Sequence, residues 1–214
     1  GERKNLILSE IQKDEIDSTP VIIDRSDFEL DKNIRLLWQS DMKYGNSKSV
    51  RMTSSVVVGN GRVFSLDAGG LVYAFDAKTG RQLWRKTTTL KRKDGQVGGA
   101  IAYGDGKVIV TSSFAEAFAF DEKNGDILWR IKLPDCCKGD GITISNGKVY
   151  MLCDNSSLQV FDISDGKFLW SHSGMMMDVT YMGSAGVVVQ NDVVYLAYPS
   201  GEVFALLSNG SILW

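Results

Sequence analysis

Asp76, Asp121 and Asp162 each stand eight residues ahead of a tryptophan. Such a row of carboxylates is what acid–base chemistry or a divalent cation would require. Each also closes an apolar run and precedes a glycine turn, where an aspartate ordinarily accepts hydrogen bonds from the turn's own N–H groups. That structural role explains their shared spacing, so no catalytic residue is assigned to them. Other reactive side chains are sparse. Cys136, Cys137 and Cys153 are an odd set that does not make a disulfide framework, and with His172 as the single histidine a zinc site lacks ligands. No metal-binding or cofactor-binding residue is assigned. The more distinctive cluster is apolar: Met175, Met176, Met177 and Met182 place four of the chain's seven methionines within eight residues of an expected exposed connection. Methionine is flexible and polarizable and suits adaptable binding patches, which makes this loop a candidate interaction site; the alternative is that Met175 to Met177 cap the core beneath it.

The elements that must position these residues repeat. Trp38, Trp84, Trp129, Trp170 and Trp214 follow one another at intervals of 46, 45, 41 and 44 residues, and Gly80, Gly125, Gly166 and Gly210 stand four residues before the last four of them. Each glycine supplies the positive φ of a tight turn feeding a short strand that ends in the Trp. Repeats of this length carrying several short strands indicate an all-β fold, a β-propeller of four-stranded antiparallel blades. The Trp side chains are expected to lie buried against the neighbouring blade, each N–H needing one partner. The distance from the first hairpin turn to the Trp is 23 residues from Gly61, Gly106 and Gly147 and 22 from Asp192. Because the blade body is constant and the blade-to-blade connections vary, binding specificity is expected in those connections and in the loops between second and third strands.

The boundaries follow. Residues 1–34 form an N-terminal acidic tail or linker, with nine acids and five bases in residues 1–32. Residues 35–214 form the propeller, with blades near 53–86, 98–131, 141–172 and 185–214. The stretch 35–40, around Leu36-Leu37-Trp38, reads as an orphan fourth strand of the ring-closing kind. Four blades and one strand do not close a ring, so the natural chain is expected to continue beyond Trp214, and this piece to expose two open blade faces. A formal net charge of −2 gives no reason to expect nucleic acid or an anionic membrane surface as the main partner. No apolar run approaches the ~20 residues that span a bilayer.

The phrases GLVYAFDAKTGRQLW and AFAFDEKNGDILW resemble the repeats of quinoprotein-like propellers. Across residues 35–214 the order and lengths of the loops are most similar to the BamB-type lipoprotein family of the outer-membrane β-barrel assembly machinery, and the opening GERKNLILSEIQKDEIDSTPVII is similar to its alphaproteobacterial branch. The resemblance implies an eight-bladed, non-enzymatic scaffold without a cofactor. It would be lipid-anchored at the periplasmic face of the outer membrane and would bind the POTRA domains of BamA. By position the family's contact loop falls on Met175, Met176, Met177, Val179, Tyr181, Met182 and Gly183. There Gly183 matches the family's glycine, Tyr181 stands where a large apolar residue is expected, and Met182 replaces an arginine, removing a bidentate ion pair. A second resemblance is enzymatic. The adjacent Cys136 and Cys137 resemble the vicinal disulfide over the cofactor of PQQ-dependent alcohol dehydrogenases, although no calcium-binding carboxylate and amide cluster accompanies them. A ligand-sensing extracytoplasmic propeller is a third reading, in which the basic run Arg85, Lys86, Lys91, Arg92 and Lys93 meets an acidic partner.

Overall fold

The computed structural model describes residues 37, 56–67, 69–88, 98–137, 142–174, 186–198 and 200–214. These belong to the unit Leu37–Trp214. Among the described residues there are fifteen strands and no helix. The first blade contains β1 (Val57–Gly59), β2 (Arg62–Leu66), β3 (Leu71–Asp76) and β4 (Gln82–Thr87); the second contains β5 (Gly98–Gly104), β6 (Lys107–Ser112), β7 (Glu116–Asp121) and β8 (Ile127–Lys132). The third contains β9 (Ile142–Ser145), β10 (Lys148–Cys153), β11 (Ser157–Asp162) and β12 (Phe168–Ser173), and the fourth β13 (Gly186–Gln190), β14 (Val193–Ala197) and β15 (Val203–Leu207). Within every sheet the strands pair antiparallel in chain order, the topology of propeller blades.

Local chemistry explains the hairpins. The first turn of each blade places two consecutive residues at positive φ: Asn60 and Gly61, Asp105 and Gly106, Asn146 and Gly147, Asn191 and Asp192. This is the two-residue hairpin whose twist matches the flanking strands, and it selects Asn, Asp and Gly because their left-handed conformation is least costly. The outer strands share an irregularity. Ala74 pairs with Trp84 but Phe75 with Gln82, Ala119 with Trp129 but Phe120 with Ile127, and Val160 with Trp170 but Phe161 with Phe168. Leu83, Leu128 and Leu169 are therefore the extra residues of a β-bulge repeated in three blades, which raises local twist and bends the exposed edge strand.

Packing is between blades. Strand β7 shows how alternation assigns its faces: Phe118 and Phe120 enter the core shared with the first blade, while Ala117 and Ala119 enter the core shared with the third. The small residues suit the second core because Trp129, Met151 and Phe161 already fill it. A third core joins Tyr150, Leu152, Leu158 and Val160 to Val194, Leu196 and Leu206 of the fourth blade. Each large side chain so buried contributes about 1.5–3 kcal/mol against its exposed state.

Two expectations need correction. The fourth blade has three strands and only an isolated bridge between Leu206 and Ile212 where a fourth strand was expected. In the other blades the fourth strand continues three residues past its Trp, and those residues complete the ladder. Nor are both end faces open. Tyr73 and Phe75, on the face of the first blade turned away from the second, are 1% and 5% exposed. Among the described residues the open blade face is the far face of the fourth blade, with Tyr195 40%, Val203 55% and Trp214 64% exposed. The strand expected at 35–40 lies outside the described residues except for exposed Leu37.

Candidate interaction surface

The blades present two unlike ends. At one, the turn after each third strand is tied to the first hairpin of its blade: Ala77 N–H donates to Gly61 O at 3.0 Å, Glu122 to Gly106 at 3.2 Å and Ile163 to Gly147 at 2.9 Å. The aspartates of the repeat sit here, and one oxygen of each is taken up by the turn. Asp76 Oδ1 accepts from the N–H of Lys78 and Thr79 and from Thr79 Oγ1, Asp121 Oδ1 from Lys123 N–H, and Asp162 Oδ1 from the N–H and hydroxyl of Ser164. The N–H of Thr79 foremost holds the Asp76 carboxyl below its ordinary pKa, and the Ser164 hydroxyl does the same for Asp162. Asp76 and Asp162 are thus ionised turn caps rather than proton donors.

The same turns lock consecutive blades. Trp84 Nε1 donates to Glu122 O at 2.9 Å, Trp129 Nε1 to Ile163 O at 2.8 Å and Trp170 Nε1 to Ser208 O at 2.9 Å. Each indole thus ends on the turn of the following blade, and its ring covers that turn's glycine. A Cβ on Gly125 would lie 2.6 Å from Trp84, one on Gly166 2.8 Å from Trp129, and one on Gly210 2.8 Å from Trp170. The glycine is needed for its positive φ and for the ring above it. Sequence spacing assigned it only the first role, because it stands near its own blade's Trp and not the one it carries. Gly80 shares the positive φ and is buried; Trp38 lies outside the described residues.

Beside these turns Glu122 bridges the first two blades. It is 6% exposed and accepts from Asn60 Nδ2 at 2.8 Å and from the Tyr103 hydroxyl. The Tyr103 hydrogen bond, helped by Asn60 and by nearby Arg62 and Lys123, holds the carboxyl below its ordinary value of 4.5 against the opposing effect of burial. Burial and Glu122 in turn push Tyr103 up to about 12. An ionised carboxylate with a firmly protonated phenol is a structural pair.

The opposite end carries the loops between second and third strands and the connections from blade to blade. Here the chain leaving each outer strand is pinned to a loop of its own blade: Thr88 N–H to Gly70 O at 2.9 Å, Leu133 to Ala115 at 2.7 Å and Gly174 to Ser156 at 2.9 Å. Gly174 opens the connection that carries the methionines. A Cβ on it would come within 2.5 Å of the Tyr198 ring, so this base must be glycine. His172 Nδ1 lies 2.7 Å from the Tyr198 hydroxyl, which donates to His172 O at 3.0 Å. Burial lowers the His172 pKa, with Glu202 opposing. The candidate residues Met175, Met176, Met177, Val179, Tyr181, Met182 and Gly183 lie outside the described residues, as do Lys91, Arg92 and Lys93.

The cysteines also lie at this end. A disulfide joins Cys137 to Cys153, and the Cys136 thiol is free. The vicinal pairing of Cys136 with Cys137 is therefore not formed. Cys137 is held inward by Thr111 Oγ1, which donates to its carbonyl at 2.6 Å, and it enters the core between second and third blades, where Cys153 ends β10. Among the described residues no three His, Cys, Asp or Glu side chains converge as metal ligands.

Known proteins place this architecture. A europium-containing methanol dehydrogenase superposes with a TM-score of 0.58 at 14% identity, over 75% of this chain and 40% of that one, a likeness of fold alone. An uncharacterized protein of Rickettsia prowazekii is 24% identical over 196 residues, 91% of this chain and 46% of its own length. The outer membrane protein assembly factor BamB of Nitrosomonas eutropha is 28% identical over 215 residues, 100% of this chain and 49% of its own. The chain spans about half the length of these relatives. The family profile described as outer membrane protein assembly factor BamB matches residues 30–94 and 87–214. With that match running through every described blade, the chain belongs to the BamB family of PQQ-like-repeat β-propellers.

Proposed function

We propose that this protein is a non-enzymatic scaffold of the outer-membrane β-barrel assembly machinery, acting at the periplasmic face of the outer membrane. Its partner is BamA, bound through the POTRA domains, and the contact is made by Met175, Met176, Met177, Val179, Tyr181, Met182 and Gly183. The observation that carries this reading is the family match along residues 30–94 and 87–214. Two features of the molecule support it. Each repeated carboxylate has one oxygen occupied by turn N–H groups, at the end away from the blade-to-blade connections. The Cys137–Cys153 disulfide is the kind of bond that persists in an oxidising compartment such as the periplasm.

The enzymatic alternative drew on a vicinal cysteine pair, and the bond runs to Cys153 instead. The deciding experiment uses the full-length protein. It should capture the purified periplasmic domains of BamA and show no calcium-dependent absorbance change on addition of PQQ. A saturable PQQ spectrum without BamA capture would reverse the assignment.

A further inference from the structure

The disulfide Cys137–Cys153 is sealed in the core between second and third blades, its cysteines 0% and 4% exposed. Burial of this kind slows direct attack on either sulfur by an external thiol. Cys136 is the exception in the cluster: half-buried, with a free thiol, and adjacent in the chain to one partner of the bond. It is also placed beside the other partner. Its carbonyl accepts the N–H of Asp154, the residue after Cys153, at 2.8 Å, and its Sγ lies 3.3 Å from Ser113 O. Cys153 therefore lies beside a pinned segment with two consecutive cysteines, one bonded to it and the other half-buried with a free thiol.

We propose that Cys136 is a thiol–disulfide exchange site, the port through which the buried Cys137–Cys153 bond reacts with thiols or disulfides outside the protein. The Cys136 thiolate attacks Cys153 Sγ; the Cys136–Cys153 bond forms, the Cys137–Cys153 bond breaks, and Cys137 leaves as a thiolate that takes up a proton. The bond now ends on an accessible sulfur. An external thiolate attacks Cys136 Sγ, forming a mixed disulfide and releasing Cys153 as a thiol. A second external thiol then frees Cys136 and departs as the external disulfide. Overall two external thiols are oxidised and one protein disulfide is reduced, and the reverse sequence lets an external disulfide install the bond in the folded protein. The reagent is a thiol/disulfide couple, either a small molecule of the glutathione type or a protein dithiol. The exchange does not depend on which partner the rim loops bind, so its failure would leave the scaffold reading intact.

The test compares the intact oxidised protein with Cys136→Ser and Cys136→Ala under native conditions. Each is treated with reduced glutathione or, in a parallel arm, with reduced thioredoxin, then acid-quenched, alkylated and mapped by mass spectrometry. Wild type should yield a Cys136–Cys153 linkage and a glutathione adduct on Cys136, and both variants should be reduced about tenfold or more slowly, because their only disulfide is buried. In denaturant the three proteins should react alike. The faster arm identifies the small-molecule or the protein source. Equal native rates for wild type and variants, or a wild-type map without any Cys136 linkage, would overturn the proposal. The map needs no variant, so a misfolded substitution leaves the test standing.

Discussion

A glycine that carries a neighbour's indole can be told from one that serves only its own turn. Gly147 and Gly166 have the same φ of 73°, yet nothing lies within 4 Å of a Cβ on Gly147, while one on Gly166 meets the Trp129 ring at 2.8 Å. Gly147→Ala should cost about 1 kcal/mol for the left-handed conformation alone. Gly166→Ala adds overpacking against the indole and should cost about 2–4 kcal/mol, measured by urea unfolding at constant m-value. Similar losses at both sites would mean that the interlock carries no energy. This distinction was illegible in the sequence, where both are a glycine after Asn or Asp. The Trp and Gly periods did reveal the blades, because turn chemistry and burial act locally. The disulfide stayed hidden because Cys137 and Cys153 are brought together by packing between blades, which spacing does not report.

At the scale of elements, the bridge made by Glu122 ties stability to pH. Its folded pKa is depressed, chiefly by the Tyr103 hydroxyl. The unfolded chain therefore binds the proton more readily than the native blade pair. The contribution is complete above the ordinary value of 4.5 and fades as pH falls through the lower folded value. Glu122→Gln should flatten this part of the stability–pH curve between pH 5 and the acid transition, read by thermal unfolding across a pH series; an unchanged slope would remove the bridge from the account. The outer strands make a second comparison. Trp170 donates to Ser208 O, whereas Trp214 is 64% exposed and follows only a bridge. Trp170→Ala should cost about 3–5 kcal/mol and Trp214→Ala under about 1 kcal/mol in the same 214-residue chain. The hairpin signals Asn-Gly and Asp-Gly made the inner strands readable, but a strand that depends on residues after its Trp could not be judged from the turn before it.

For the whole molecule, the fourth blade sets its behaviour. Tyr150 and Leu158 of the third blade are 1% and 0% exposed, while Tyr195 and Val203, which occupy the matching positions of the fourth, are 40% and 55% exposed. A face built like the buried ones and left open should drive self-association of the 214-residue chain at micromolar concentration. Tyr195→Lys with Val203→Lys should shift it toward monomer by light scattering, and a wild-type chain already monodisperse as a monomer would contradict this. The scaffold reading rests on the family match and assigns partner binding to the blade-to-blade connections. The measurement that tests it most directly is the affinity of the full-length protein for the BamA POTRA domains with Tyr181→Ala and Met182→Ala combined, against Lys91→Ala with Lys93→Ala as control. Apolar anchors at an interface centre cost about 1–3 kcal/mol each on truncation. The account predicts that the first pair weakens binding about tenfold or more with folding intact, while the basic pair changes it little at physiological salt; wild-type affinity in the first pair with loss in the second would contradict it.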